Sequence, residues 1–407
     1  MQIPLPTGGV DLLSDETQLP AGYVRRAENV DIARSGVFSR REGYALQDSA
    51  VSYHSLFAGS RGVLVAKGAE VFALNPSTLG LAPKCDMGSD APVDVVEYNG
   101  ATYLTSRSAF WWIPADSGTA RKVGVEPPNP LPSVAAHDAG NLTPGKYAVA
   151  ISRVDDRGEE SAAKFLGIVE TNAGIRLDGM PLESGAIYRV YLSPNAGDVL
   201  YLADEFAAAF ATYKLGELPE GAPRTTQHLA PMPAGEFVRW HGGRLYTAAG
   251  DTLAYSEPLR PHLTDPRRGF IKFVGRITFF EPVTGGIFVG DNRGVWFLPG
   301  GDPKDFTLRL VSPEPAVFRS SLTLASLHLP RALQLAEQRC AVWLSTAGYM
   351  VGTADGSVIP LHPDRVRLAA GLEGRSRFVV RKGVKQVITL VAANGSAYGV
   401  ALDSIIQ

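Results

Sequence analysis

The feature that most constrains this chain is a hairpin pattern that repeats and is interrupted once. Six times a short apolar strand, a glycine-containing break and a second apolar strand follow one another. The clearest copy is FVRWH-GG-RLYTAA-GD-TLAYSE, from Phe237 to Glu257, cut by Gly242-Gly243 and Gly250-Asp251. The others are GVLVAK-GA-EVFALN from Gly62, VDVVEY-NG-ATYLTS from Val93, IFVGD-NRG-VWFLPG from Ile287, AVWLST-AG-YMVGTA from Ala341 and VITLV-AANGS-AYGVAL from Val387. Asn-Gly and Gly-Gly suit two-residue hairpin turns, whose central positions need positive φ. A lone hairpin cannot bury its apolar face, so repetition implies neighbours stacked over shared cores. That pattern predicts a β-propeller or a related radial array.

The interruption defines the domains. Met1 to Leu46 is polar with few apolar runs, and reads as an extended N-terminal arm (1–46) ending in one strand pair, ENVDIA and GVFSRREGY, turned at Ser35-Gly36. Hairpins then fill a first propeller part, 47–126. Pro127, Pro128, Pro130 and Pro132 stiffen the backbone and mark a boundary. From there to a second Pro-rich exit, 127–233 reads as an inserted β-sandwich: about seven short strands in roughly 95 residues is an immunoglobulin-like or fibronectin-like density. GKYAVAISRV alternates strongly and Asp155-Asp156-Arg157-Gly158 turns the chain. The hairpins resume in 234–407, the second propeller part. About 245 residues of repeat, at roughly 40–45 per blade, give five or six blades. Helix is nearly absent; the best helical stretches are Phe206–Leu215 and Leu324–Gln338.

Composition narrows the function classes. A chain 45% hydrophobic and 20% charged folds rather than staying disordered. A formal charge of -2 gives no polyelectrolyte argument for tight nucleic-acid binding. Cys85 and Cys340 lie in no metal-ligand or redox spacing and read as free buried thiols, with a long-range disulfide as the alternative. Met1 to Leu13 lacks the pattern of a signal peptide, and no stretch reaches the roughly 20 apolar residues of a membrane span. Assembly in a cytoplasm is expected.

Chemistry is hard to place. The histidines His54, His137, His228, His241, His262, His328 and His362 form no zinc-ligand spacing. His241, at a strand end before a turn, reads as structural. No nucleophile elbow, phosphate loop or dinucleotide fingerprint stands between a strand and a helix. Asp155, Asp156, Glu159 and Glu160 put four carboxylates around one turn, where a calcium site is the functional reading and a solvated hairpin tip the preferred one. Asp291-Asn292-Arg293-Gly294-Val295-Trp296 partly matches the Asp-box turn of sialidase-like propellers, with Val289 where Ser or Thr is usual. Phe110-Trp111-Trp112 would stack on a sugar or a base if exposed, but strand aromatics usually pack between blades. The expectation is therefore no enzyme, no catalytic residues, no cofactor and no metal.

A resemblance adds a function. Gly8-Gly9-Val10, Leu19-Pro20-Ala21-Gly22, Asn29-Val30-Asp31 and Arg40-Arg41-Glu42-Gly43-Tyr44 follow one another in the arm. Further on come Leu142-Thr143-Pro144-Gly145-Lys146-Tyr147, Asp156-Arg157-Gly158-Glu159-Glu160-Ser161 and Ile187-Tyr188-Arg189-Val190-Tyr191. Trp240-His241-Gly242-Gly243-Arg244-Leu245-Tyr246 and Leu253-Ala254-Tyr255-Ser256-Glu257-Pro258 complete the series. In this order they resemble the tail nozzle proteins (tail tubular protein B type) of short-tailed double-stranded DNA bacteriophages. The resemblance implies a structural virion protein of the tail. It would form a propeller-based ring, usually a hexamer, through which DNA passes without specific binding, alongside adaptor and fiber proteins. Arg25, Arg26, Arg40 and Arg41 are the subunit-interface candidates, since a guanidinium suits carboxylates such as Asp15 and Glu16 of a neighbouring arm. The alternatives are a carbohydrate-binding or glycosidase-like propeller, or a tail-tip or adaptor protein of a longer-tailed phage.

Overall fold

The computed structural model describes residues 9–27, 30–32, 37–40, 45–49, 52–330, 333, 335–361, 365–369, 371–381, 384–393 and 400–406. Among them helix is confined to short 3-10 turns such as Pro303–Asp305, and everything else regular is strand. The chain divides into two compact units.

The first unit comprises Met1–Tyr53, Ala248–Thr252 and Lys272–Gln407. It holds two four-stranded antiparallel meanders, 279–312 and 322–360, and a three-stranded meander, 372–406. Strand Arg339–Ser345 shows why they stack. Its residues point alternately to opposite faces, yet both faces are buried. Ala341 and Trp343 join Phe279, Phe288 and Phe297 of the preceding meander, while Cys340, Val342 and Leu344 join Val387 and Val391 of the following sheet. A strand buried on both sides needs a sheet on each side.

The second unit comprises His54–Thr247 and Leu253–Ile271. Meanders 53–86 and 94–122 share Ala66, Val71, Met87, Leu104 and Ile113. The next meander, Phe237–His241, Arg244–Ala249, Thr252–Tyr255 and Phe270–Lys272, presents Val238 and Leu245 to Tyr103 and Phe110. Again one strand serves two cores: Leu104 faces one way and Tyr103 the other. The turns obey the expected chemistry. Asn99 and Gly100 have φ of 48° and 74°, and Gly242 and Gly243 of 53° and 75°, as a two-residue hairpin requires. The last of the six hairpins also pairs as expected, Val384–Ala393 with Val400–Ile406; its turn, 394–399, lies outside the described residues.

Between the second and third meanders lie two further antiparallel sheets, Ser133–His137, Gly174–Asp178 and Thr212–Leu215 in one, and Lys164–Thr171, Gly145–Val154, Ile187–Leu192 and Tyr201–Ala207 in the other. Both send side chains into one core, with Tyr147, Val149, Ile151, Tyr188 and Val190 from the larger sheet and Ile175, Leu177 and Leu215 from the smaller. The helical expectation for Phe206–Leu215 is wrong. Strands Tyr201–Ala207 and Thr212–Leu215 pair into opposite sheets, with a turn at 208–209 and a further break before Thr212. Leu324–Gln338 likewise opens as strand Leu322–Ala325 and continues as a 3-10 turn, Ser326–His328. Cys85 and Cys340 are both free, and burial pushes their thiols up to about 12 and about 11.

Candidate functional site

The arm is tied down at its start. Gly9–Val10 pairs in parallel with Tyr23–Val24, the chain turning back at Gly22, where φ is 86°. Asp11 is wholly buried and caps the following turn, accepting from the backbone N–H groups of Leu13 and Ser14 at 3.0 Å each. Its other oxygen accepts from Ser14 Oγ at 2.8 Å and from Arg365 Nη1 at 2.6 Å. The Ser14 backbone N–H is the largest influence holding this carboxyl well below its usual range. The Arg365 guanidinium also lies 4.5 Å from the Tyr23 ring centre.

Of the interface candidates, Arg25 donates to the Ser14 carbonyl at 2.5 Å and lies near Asp15 of its own arm. Arg26 is also engaged. Arg40 is exposed on the strand Phe38–Arg40, which pairs with Val30–Ile32. Arg41 lies outside the described residues. Beside Arg40, Val37, Phe38 and Leu46 are 60%, 51% and 83% exposed, which is unusual for such side chains on one short segment.

The acidic turn is exposed at its tip, Asp156–Gly158, as expected, but its two glutamates are covered, and among the described residues its carboxylates do not converge on one point. Its carboxylates disperse to four destinations. Asp155 folds the turn itself, its Oδ1 accepting from the N–H groups of Arg157 and Glu159 at 2.9 Å. Asp156 makes a two-pronged pair with Arg121 at 2.5 and 2.9 Å. Glu160 turns inward to accept from Tyr191 Oη at 2.5 Å, Ser152 Oγ at 2.6 Å and Arg189 Nη1 at 3.0 Å. Glu159 is largely buried, with Oε1 3.8 Å from His262 Nδ1. Burial is the main cause that pushes its carboxyl up to about 7, helped by the charge of Asp155 and opposed by Arg157 and Arg121. Burial likewise lowers the His262 imidazole, against a backbone hydrogen bond to Glu160.

The turn thus docks on neighbouring meanders. Arg157 reaches Asp116 at 3.0 and 3.1 Å, and its guanidinium carbon sits 5.3 Å from the Trp112 ring centre. Trp112 in turn stacks with Tyr103 at 6.1 Å, whose hydroxyl is pushed up to about 12 by burial and by the charge of Glu159. Phe110 is buried and Trp111 and Trp112 are half-buried, so this aromatic run belongs to the packing. Asp291 serves its turn, Oδ1 accepting from Arg293 N–H at 2.8 Å and Gly294 N–H at 3.2 Å. His262 carried no signal in the sequence, because its partner lies about a hundred residues away and no local spacing encodes a docking contact.

The sheets define the class: an all-β protein built from the four-stranded antiparallel meanders of a β-propeller. No protein-family model matches the chain, and no curated protein matches it. Among solved structures it is similar to the N-terminal domain of Nup159, with 11% identity, 88% of this chain and 90% of that one covered, and a TM-score of 0.28. The Neurospora crassa Pan2 WD40 domain shares 10% identity over 82% of this chain and 85% of its own, at a TM-score of 0.31. Kluyveromyces lactis Hsv2 shares 9% over 88% and 95%, at 0.28. Similarity at this level carries no argument about function.

Proposed function

We propose that the chain is a structural, non-catalytic virion protein: a propeller-based subunit of the tail nozzle of a short-tailed phage, assembled in the host cytoplasm and closing with its copies into a ring around the DNA path. Fold alone does not choose among functions, since propeller architecture hosts many. The observation that carries the reading is the arm, whose motif series resembles nozzle proteins and whose outer hairpin leaves Val37 and Phe38 exposed beside Arg40. Apolar side chains grouped on an exposed segment favour a protein contact. A heterologous contact of arm on neighbouring copy closes into a cyclic ring when the rotation permits. In this reading the two-sheet body of 133–215 is the immunoglobulin-like insert, and Arg25, Arg26, Arg40 and Arg41 remain interface candidates. A formal charge of -2 suits a channel wall that must not hold DNA, because each bound phosphate slows passage.

The test is light scattering on the full chain and on a chain lacking residues 1–46. The full chain is expected to form a discrete oligomer and the truncated chain to lose it while keeping its β spectrum. Equal oligomers from both would remove the arm from the interface, and a monomeric full chain at high concentration would remove the ring.

A further inference from the structure

We propose that Glu159 and His262 form a charge-compensated latch, two buried groups that hold one proton in total, which clamps the two-sheet body of 133–215 onto the meanders beside it and keeps that clamp insensitive to pH. Two ionisable side chains, 23% and 12% exposed, face each other at 3.8 Å inside the contact made by the 155–160 turn. His262 Nδ1 has no hydrogen-bond partner among the described residues. A buried carboxylate and a buried imidazole too far apart for a hydrogen bond cost least when neither carries a net charge, which places the pair's one proton on the carboxyl and leaves the ring neutral.

Every charged group around the pair is otherwise committed. On the turn, Asp155 holds the backbone, Asp156 holds Arg121, Arg157 holds Asp116, and Glu160 is taken by Ser152, Tyr191 and Arg189. From the second meander, Tyr103 faces Glu159, with Tyr98 beside it and Lys122 over Trp111. From the third, Arg260 approaches His262 and disfavours a second positive charge there. The flanking pairs Arg121–Asp156 and Arg157–Asp116 therefore supply the permanent grip. Both carboxyls are held below their usual range, chiefly by the guanidinium hydrogen bonds, so neither pair titrates near neutrality.

The compensation follows from proton counting. Undocked and wetted, an ordinary Glu is ionised and an ordinary His protonated between about pH 4.5 and 6.5, so the pair holds one proton. Docked, it also holds one, now on the carboxyl. Closing the latch moves a proton from imidazole to carboxylate with little net uptake, and docking is nearly flat in pH. Removing either partner exposes the slope of the other. With His262→Gln, Glu159 alone binds its proton more tightly when docked, so docking weakens about tenfold per pH unit from roughly 5 to 7 and levels off above. With Glu159→Gln, His262 alone prefers to dock neutral, so docking strengthens as pH rises towards about 6.5.

Amide hydrogen exchange on the full chain, corrected for intrinsic rates, reads the opening of the 155–160 turn between pH 5 and 8. The expected result is wild-type protection constant within about fivefold, a falling profile for His262→Gln and a rising one for Glu159→Gln. Two variants with the same slope, or a wild type that changes about tenfold per unit, would overturn the proposal. Should the variants not fold, nitrogen chemical shifts of the wild-type His262 ring decide it. A ring still neutral below pH 6 supports the latch, and one that titrates near 6.5 overturns it.

Discussion

Gly352→Ala probes the packing between successive meanders without backbone strain, and the gain of about 0.4–1 kcal/mol that Ala brings by restricting the unfolded chain works against the loss. Gly352 ends the strand Gly348–Gly352, where its backbone is open to any residue, so no left-handed strain is involved. A Cβ built there would lie 2.6 Å from Phe288 Cε2 and Cζ and 2.9 Å from Trp343 Cζ3. Both rings are completely buried, with centres 5.6 Å apart, and Trp343 also stacks on Phe279 at 5.2 Å. Neither can swing away without disturbing the second wall of the same cluster. Overpacking of this kind costs about 1–3 kcal/mol. For a cooperative block of this size that lowers Tm by about 2–4 °C per kcal/mol. The assay is calorimetry of Gly352→Ala, Phe288→Leu and the double variant. Phe288→Leu alone destabilises by opening a cavity, but in the double variant the new methyl group enters that space, so the combined loss is smaller than the two losses added. Unchanged stability for Gly352→Ala, or strict additivity, would show that Phe288 and Trp343 are not packed between these sheets as described.

Three further outcomes are expected. Gly100→Val, which forces a β-branched side chain to φ of 74° in the Asn99-Gly100 turn, should cost at least about 1–2 kcal/mol in denaturant unfolding; Asn99→Gly should be nearly neutral. The Asp11 carboxyl is depressed when folded, so its contribution to anchoring the arm is present above the ordinary carboxylate range and is lost as pH falls through and below it. Exchange of amides in 11–24 should therefore rise in acid, and Asp11→Asn should show that rise already at pH 7. Tyr191→Phe deletes the bond to Glu160 and leaves a half-buried carboxylate short of a donor, which should lower stability by about 1–3 kcal/mol by calorimetry.

The meanders were readable because the signals that make them are local. Asn99-Gly100 and Gly242-Gly243 sit where two positive φ values are needed, and strands such as ATYLT and RLYTAA carry apolar residues on both faces because both faces are covered. Phe206–Leu215 misled because its apolar residues recur at a helix-like spacing, whereas the pairing of Tyr201–Ala207 and Thr212–Leu215 into separate sheets is a tertiary fact. The acidic turn misled for the same reason. Four carboxylates around one turn read as wholly solvated until the contact between sheets brings Arg121 to Asp156, His262 to Glu159, and Asp116 and Trp112 to Arg157. Asp11 was equally hidden, since Arg365 lies at the other end of the chain.

Electron microscopy of the purified full chain addresses the proposed function most directly. The nozzle reading predicts closed rings with an axial opening, in which the arm hairpin carrying Val37, Phe38 and Arg40 lies against the adjacent copy. Particles that remain single chains at every concentration, or that join through surfaces leaving this hairpin in solvent, would contradict it.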